Sequence, residues 1–221
     1  MFEWLKRLGG DSRRLEAILA RFNQMLLDGR HMFDLAANAL LGGTDIDVIR
    51  QDLFKSDERI NAFEQKLRRR LIVHAAVHGS AEFPTCLVLM SIAKDAERIG
   101  DYCKNIFDLA ASRRLSPEHG RHADLLSTKD KISRQLAMMI KVYSAQDPEG
   151  ALDLLMEAES LQDFCDKQIH TLISGESDGA EDVISALAFR YFKRITAHSK
   201  NIVSSIVMPV DKLDYIPEDD D

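Results

Sequence analysis

Apolar residues recur every three or four positions along almost the whole chain, and only short breaker stretches interrupt them. That spacing predicts helix nearly throughout and leaves little room for a sheet. The stretches "LGGTD" (41–45), "VHGSAEFP" (77–84), "SPEHG" (116–120), "QDPEG" (146–150) and "SGESDG" (174–179) gather Gly, Pro and capping residues. They divide the chain into six helices. The expected spans run from about Ser12 to the first breaker, then about 45–73, 82–113, 123–145, 148–173 and 180–207. In "QDPEG", Asp147 is placed as an N-cap with Pro148 at the first helical position. Pro209 stops the sixth helix, and "PEDDD" reads as a solvated tail. Helices of this length reach roughly 40 Å, and short connections make neighbours antiparallel.

An internal repeat organises these helices. "ERIGDYCKNI" (97–106) matches "KRITAHSKNI" (193–202) at Arg98, Ile99, Lys104, Asn105 and Ile106, an offset of 96 residues. "DERINAFEQKL" (57–67) aligns with "ESLQDFCDKQI" (159–169) at an offset of 102, pairing Asp57 with Glu159, Asn61 with Asp163 and Glu64 with Asp166. Helices two and three therefore correspond to helices five and six. The expected fold is all-α: two pseudo-symmetric antiparallel three-helix bundles, covering 1–115 and 116–221.

Composition narrows the function classes. A net charge of -7 argues against a general nucleic-acid binder, which shows a basic footprint. The one basic run, Lys66, Arg68, Arg69 and Arg70, is expected near a helix end, where cations complement the macrodipole. Cys86, Cys103 and Cys165 lie far apart, so no thiolate zinc pattern forms. The longest apolar run, "FPTCLVLMSIA", is too short to span a bilayer. No secretory signal is recognisable, and the expected location is cytoplasmic. The opening "MFEWLKRL" is briefly amphipathic and reads as a packed or frayed helix start, with contact to a membrane surface as the alternative. No P-loop, dinucleotide fingerprint or G-x-S-x-G is present, and nothing in the pattern demands catalysis.

The third helix carries the polar signal. Ile92, Ala96, Ile99, Cys103, Ile106 and Ala110 form its apolar stripe, and Glu97 and Asp101 flank that stripe one turn apart. Two like charges so placed repel by a few tenths of a kcal/mol, and Gly100 costs roughly 1 kcal/mol relative to alanine. A close neighbouring backbone or a cation would account for both. On the second helix, Asp57, Asn61 and Glu64 share one face at a matching height. Facing acidic clusters of this kind suit a hard or borderline metal, although acidic pairs at this spacing are common on solvated faces, and by spacing alone the solvated face is the favoured reading.

"DERINAFE" followed by "KDAERIGDYCKNI" resembles the PhoU family of phosphate-uptake regulators over nearly the whole chain. The resemblance implies a two-repeat, six-helix protein without catalytic residues. It would regulate phosphate uptake or the phosphate-starvation response through protein contacts. The implied partners are phosphate transporter components or a phosphate-sensing kinase, with membrane association only through them, and a homodimer. In some members the Glu/Asp-x-x-x-Asp signatures hold multinuclear metal clusters. The matching residues here are Asp57, Asn61, Glu64, Glu97 and Asp101, expected to hold divalent or iron-type ions. In the second half Lys193 and Ala197 stand at the positions of Glu97 and Asp101, so that half is expected to carry a Lys193 pair with Glu159 or Asp163. His198 is a weak substitute ligand there. His74 and His78 read as helix-end residues, and His119 and His122 as solvated linker. Two other classes compete: a di-metal carboxylate enzyme, for which no Glu-x-x-His is present, and a metal-free helical scaffold.

Overall fold

The structure is a computed structural model that describes residues 12–78, 83–175, 179–209 and 212–213. "MFEWLKRL" and the "PEDDD" tail lie outside the described residues. Six helices follow one another: α1 (Ser12–Leu40), α2 (Ile46–His78), α3 (Phe83–Ser112), α4 (His122–Ala145), α5 (Pro148–Ser174) and α6 (Ala180–Val207). No strand occurs among the described residues. The expected spans hold closely, with one correction. α2 continues past Val73 to His78, because no Gly or Pro intervenes before Gly79 and Ala75 and Ala76 favour helix. His74 and His78 are therefore both helical.

Local chemistry explains the ends. Asp147 accepts hydrogen bonds from Glu149 N and Gly150 N at 3.1 and 3.2 Å, with Pro148 opening α5. Gly150 is dictated by space: a Cβ there would sit 2.7 Å from Asp147 Oδ2 and 2.9 Å from Val142 Cγ2. α4 closes through Gln146, whose φ of 55° lies in the left-handed region and whose N–H reaches Tyr143 O.

α1, α2 and α3 pack on one another as one bundle, and α4, α5 and α6 as a second. The bundles join where α3 packs on α6 and α1 on α4. The α3 stripe from Ile92 to Ala110 is wholly buried. α1 is central in the same sense. Leu26, Met32 and Phe33 are buried inside this one chain, while Leu27 is 41% exposed. Its apolar residues on several faces thus serve the monomer. Phe33 of α1 meets Phe192 of α6 edge-to-face at 5.5 Å.

Packing does not require Gly100, and the nearest atoms over it belong to side chains rather than to a neighbouring backbone. Met32 of α1 and Ile60 of α2 both lie over it, at 3.7 and 3.5 Å from where a Cβ would stand. These are ordinary contact distances, so a methyl group fits.

The seam between halves also carries a polar cluster. Asp95 of α3, buried, accepts from His198 Nδ1 at 2.7 Å and from Asn201 Nδ2 at 3.1 Å, both on α6. His198 stacks on Tyr102, which also meets Tyr191 and accepts from Arg194 Nε at 3.1 Å. The 96-residue offset relates Tyr102 to His198 and Asp95 to Tyr191. Two repeat-related positions thus stack against each other. On one side of that stack lies a Tyr–Tyr pair, and on the other an acid–histidine pair.

Two outcomes test this packing. Gly100→Ala is expected to be neutral or to stabilise by up to about 1 kcal/mol through helix propensity. His198→Ala, which strips a buried carboxylate of its main donor, is expected to cost about 3 kcal/mol. Urea unfolding of both variants checks the two signs.

Candidate functional site

α2 and α3 run antiparallel, and their registers bring Asp57 and Asp101 to the same height. Lys104, one turn after Asp101, lies between them. Its Nζ is 2.9 Å from Asp57 Oδ1 and 3.0 Å from Asp101 Oδ1. The Asp57 contact is an ion pair by distance but is not aligned as a hydrogen bond. Asn61 donates to the other Asp57 oxygen at 3.1 Å. Burial works to lower the Lys104 pKa, and the attraction of Asp57 and Asp101 outweighs it, so the pKa is raised.

Glu97 and Glu64 turn elsewhere. Lys94 holds Glu97 at 2.5 Å, and Arg68 holds Glu64 at 2.8 Å, each on its own helix. The five candidate residues therefore separate into a converging set (Asp57, Asn61, Asp101) and two acids held by neighbours. Among the described residues, no three or more His, Cys, Asp or Glu side chains are grouped so as to hold a metal ion. The converging set offers two carboxylates and an amide, and an ammonium already stands at their centre.

The second half repeats part of this arrangement. Lys200, the counterpart of Lys104, reaches Glu159, the counterpart of Asp57, at 3.3 Å. Lys193 pairs with Asp166 rather than with Glu159 or Asp163. The reason is charge exchange. Glu97 and Glu64 cannot pair with each other in the first half, so each recruits a local cation. With a lysine at 193 the equivalent positions bond directly across the helices.

The histidines depart from their sequence reading. His198 is committed to Asp95, which removes it as a ligand beside Lys193. His119 is nearly buried, its Nε2 3.2 Å from Asp182 and its Nδ1 accepting from Arg121 N. His122 opens α4 and contacts Leu41 O at 3.2 Å. Both tie the linker to helices, where the sequence suggested solvation, because long-range acceptors are invisible to spacing. Sequence reasoning also passed over Asp28. It is buried on α1 and gripped by Arg59 of α2 through Nε–Oδ2 (3.1 Å) and Nη2–Oδ1 (2.8 Å). The Asp28 hydrogen bond, opposed by burial, leaves the Arg59 pKa raised. A polar residue amid an apolar stripe was the available signal.

The thiols are inert by position. Cys103 and Cys165 are buried, and burial raises both pKa values, that of Cys165 to about 12.

The class defined by these features is an all-helical protein of two three-helix bundles, with an acid–lysine contact repeated in each half. The family model "PhoU domain" matches residues 22–110. The chain has the fold of PhoU from Pseudomonas aeruginosa, with a TM-score of 0.79 and 17% identity over 90% of this chain and 97% of that one. The phosphate transport system regulatory protein PhoU from Streptococcus pneumoniae gives a TM-score of 0.68 and 16% identity, covering 86% and 93%. Over 63 residues the chain is 38% identical to the phosphate-specific transport system accessory protein PhoU homolog of Zymomonas mobilis subsp. mobilis. That match spans 27% of this chain and 27% of the relative's length. The PhoU-domain family model thus lies on the first half of the chain, while the likeness in fold extends over nearly all of it.

Lys104→Met tests the acid pair. It leaves Asp57 and Asp101 facing each other, and at neutral pH it is expected to cost about 1 kcal/mol. A raised lysine pKa stabilises fully below the unfolded value of about 10.4, and that stability is lost as pH rises through the folded value. The gap between variant and wild type in chemical denaturation should therefore narrow only above that range.

Proposed function

We propose that this protein regulates phosphate uptake or the phosphate-starvation response by binding other proteins. The observation that carries the reading is the PhoU fold over almost the whole chain, joined to the PhoU-domain match at 22–110. The partners would be components of a phosphate transporter or a phosphate-sensing kinase, and the protein would act as a homodimer without a catalytic step. Among the described residues no helix is long and apolar enough to cross a membrane. A cytoplasmic location, with access to transporter or kinase from that side, belongs to the same proposal.

Metal binding is the second part. A divalent or iron-type cation would be held by Asp57, Asn61 and Asp101. Glu97 and Glu64 would join by releasing Lys94 and Arg68, and Lys104 would have to withdraw. Carboxylate oxygen donors suit such ions.

Deleting the gene in the source organism should change phosphate uptake or the output of a phosphate-starvation reporter, and restoring the gene should reverse the change. Unaltered uptake and reporter output would remove the regulatory reading. Light scattering is expected to show a dimer. Elemental analysis of protein purified without chelator addresses the metal. The expected result is a loss of metal in Glu97→Ala/Asp101→Ala and unchanged stoichiometry in Glu159→Ala/Asp163→Ala. Metal-free wild-type protein would refute this part alone.

A further inference from the structure

The basic run of α2 has no part in ending that helix. α2 extends to His78, so Lys66, Arg69 and Arg70 lie two turns or more before its end, beyond the reach of the macrodipole. Arg68 is taken by Glu64. Lys66, Arg69 and Arg70 are exposed and form no ion pair among the described residues. At the same end of the first bundle, large apolar side chains are exposed: Val73 by 63% and Val77 by 71% on α2, Phe83 by 48% and Leu87 by 58% on α3.

These two features are placed together by helix geometry. Lys66, Arg70, Val73 and Val77 stand at i, i+4, i+7 and i+11, one face of α2 with its basic part inward and its apolar part at the tip. α3 turns back directly after α2, which puts Phe83 and Leu87 at the heights of Val77 and Val73. From Lys66 to Lys94 the sequence has five basic residues and one acidic residue, in a chain of net charge -7.

We propose that this α2–α3 end binds an anionic lipid surface directly, without a partner protein. The charge pattern selects that occupant. A second copy meeting tip to tip would set basic residues against basic residues. A partner helix needs a groove, whereas the end of a helical hairpin is convex. A lipid leaflet matches both chemistries, with phosphate headgroups for Lys and Arg and an acyl boundary for Val, Phe and Leu. The dimensions agree. Arg70 lies about 10 Å along the helix from Val77 at 1.5 Å per residue. Interfacial helices bury their apolar face by about 5–10 Å. With Val77 and Phe83 at the acyl boundary, Arg69 and Arg70 reach the phosphates. The acidic remainder of the protein is repelled by the same surface, so the molecule would stand end-on.

Flotation of the full chain with lipid vesicles tests this. Binding is expected to vesicles of phosphatidylcholine containing phosphatidylglycerol, and to fall on phosphatidylcholine alone and at high salt. Arg69→Ala/Arg70→Ala should weaken binding about 30-fold, from roughly a fivefold contribution per basic residue. Val73→Ser/Val77→Ser should weaken it at low and high salt alike. All four positions are exposed, so the fold should persist, and circular dichroism verifies that. Leu152→Ser/Met156→Ser, an exposed apolar pair on α5, should bind like wild type. Failure of the wild type to bind anionic vesicles would overturn the proposal, as would equal losses in the α5 control. Neither result bears on the regulatory reading, which the deletion experiment tests separately.

Discussion

Burying Asp95 at the seam between the two halves is costly unless the carboxylate is fully engaged. α6 supplies what it needs, His198 and Asn201, from two positions three residues apart. That requirement fixes the register of α3 against α6, and much else follows from it. Tyr102, two turns beyond Asp95 on α3, is carried onto the His198 ring and under Arg194. With one face of α3 committed to α6, the face carrying Glu97, Asp101 and Lys104 is turned toward α2. One helix thus serves two neighbours with two different polar stripes, separated by its buried apolar residues.

The acid cluster shows how charge is balanced when a helix pair is built largely from acids. In the first half a lysine from α3 neutralises the convergent carboxylates, and local cations take the remaining two. In the second half one acid has become a lysine, and a direct cross-helix pair replaces two local ones. The contact that survives in both halves is the lysine to the first acid of the repeated motif on the second helix of each bundle, Lys104 to Asp57 and Lys200 to Glu159. An internal ammonium is a permanent competitor for any external cation. The electrostatics of the face are therefore set by the chain itself, and a partner or an ion must work against them.

Particular residues show how far the sequence reached. The Asp147 cap, the α3 stripe and the repeat offsets were readable because each rests on a short, periodic pattern. The convergence of Asp57 with Asp101 was readable for the same reason, as both lie near the middle of antiparallel neighbours. Glu64 and Glu97 were read as members of one cage, yet their nearest cations, Arg68 and Lys94, sit on the same helix at i+4 and i−3 and capture them locally. Asp28, Asp95 and the linker histidines were missed or misread because their partners lie in distant segments.

The sequence by itself determined the six helices, their approximate ends, the two-bundle repeat and the residues available for the polar face. Those are consequences of local periodicity, capping and breakers, which act within a turn or two of each residue. Tertiary structure alone decided which acid meets which cation, that Gly100 lies beneath Met32 and Ile60, and that His198 serves the seam rather than a metal. Such choices depend on the relative height and rotation of packed helices. A shift of one residue turns a helix by about 100° and would aim every one of these side chains at a different neighbour.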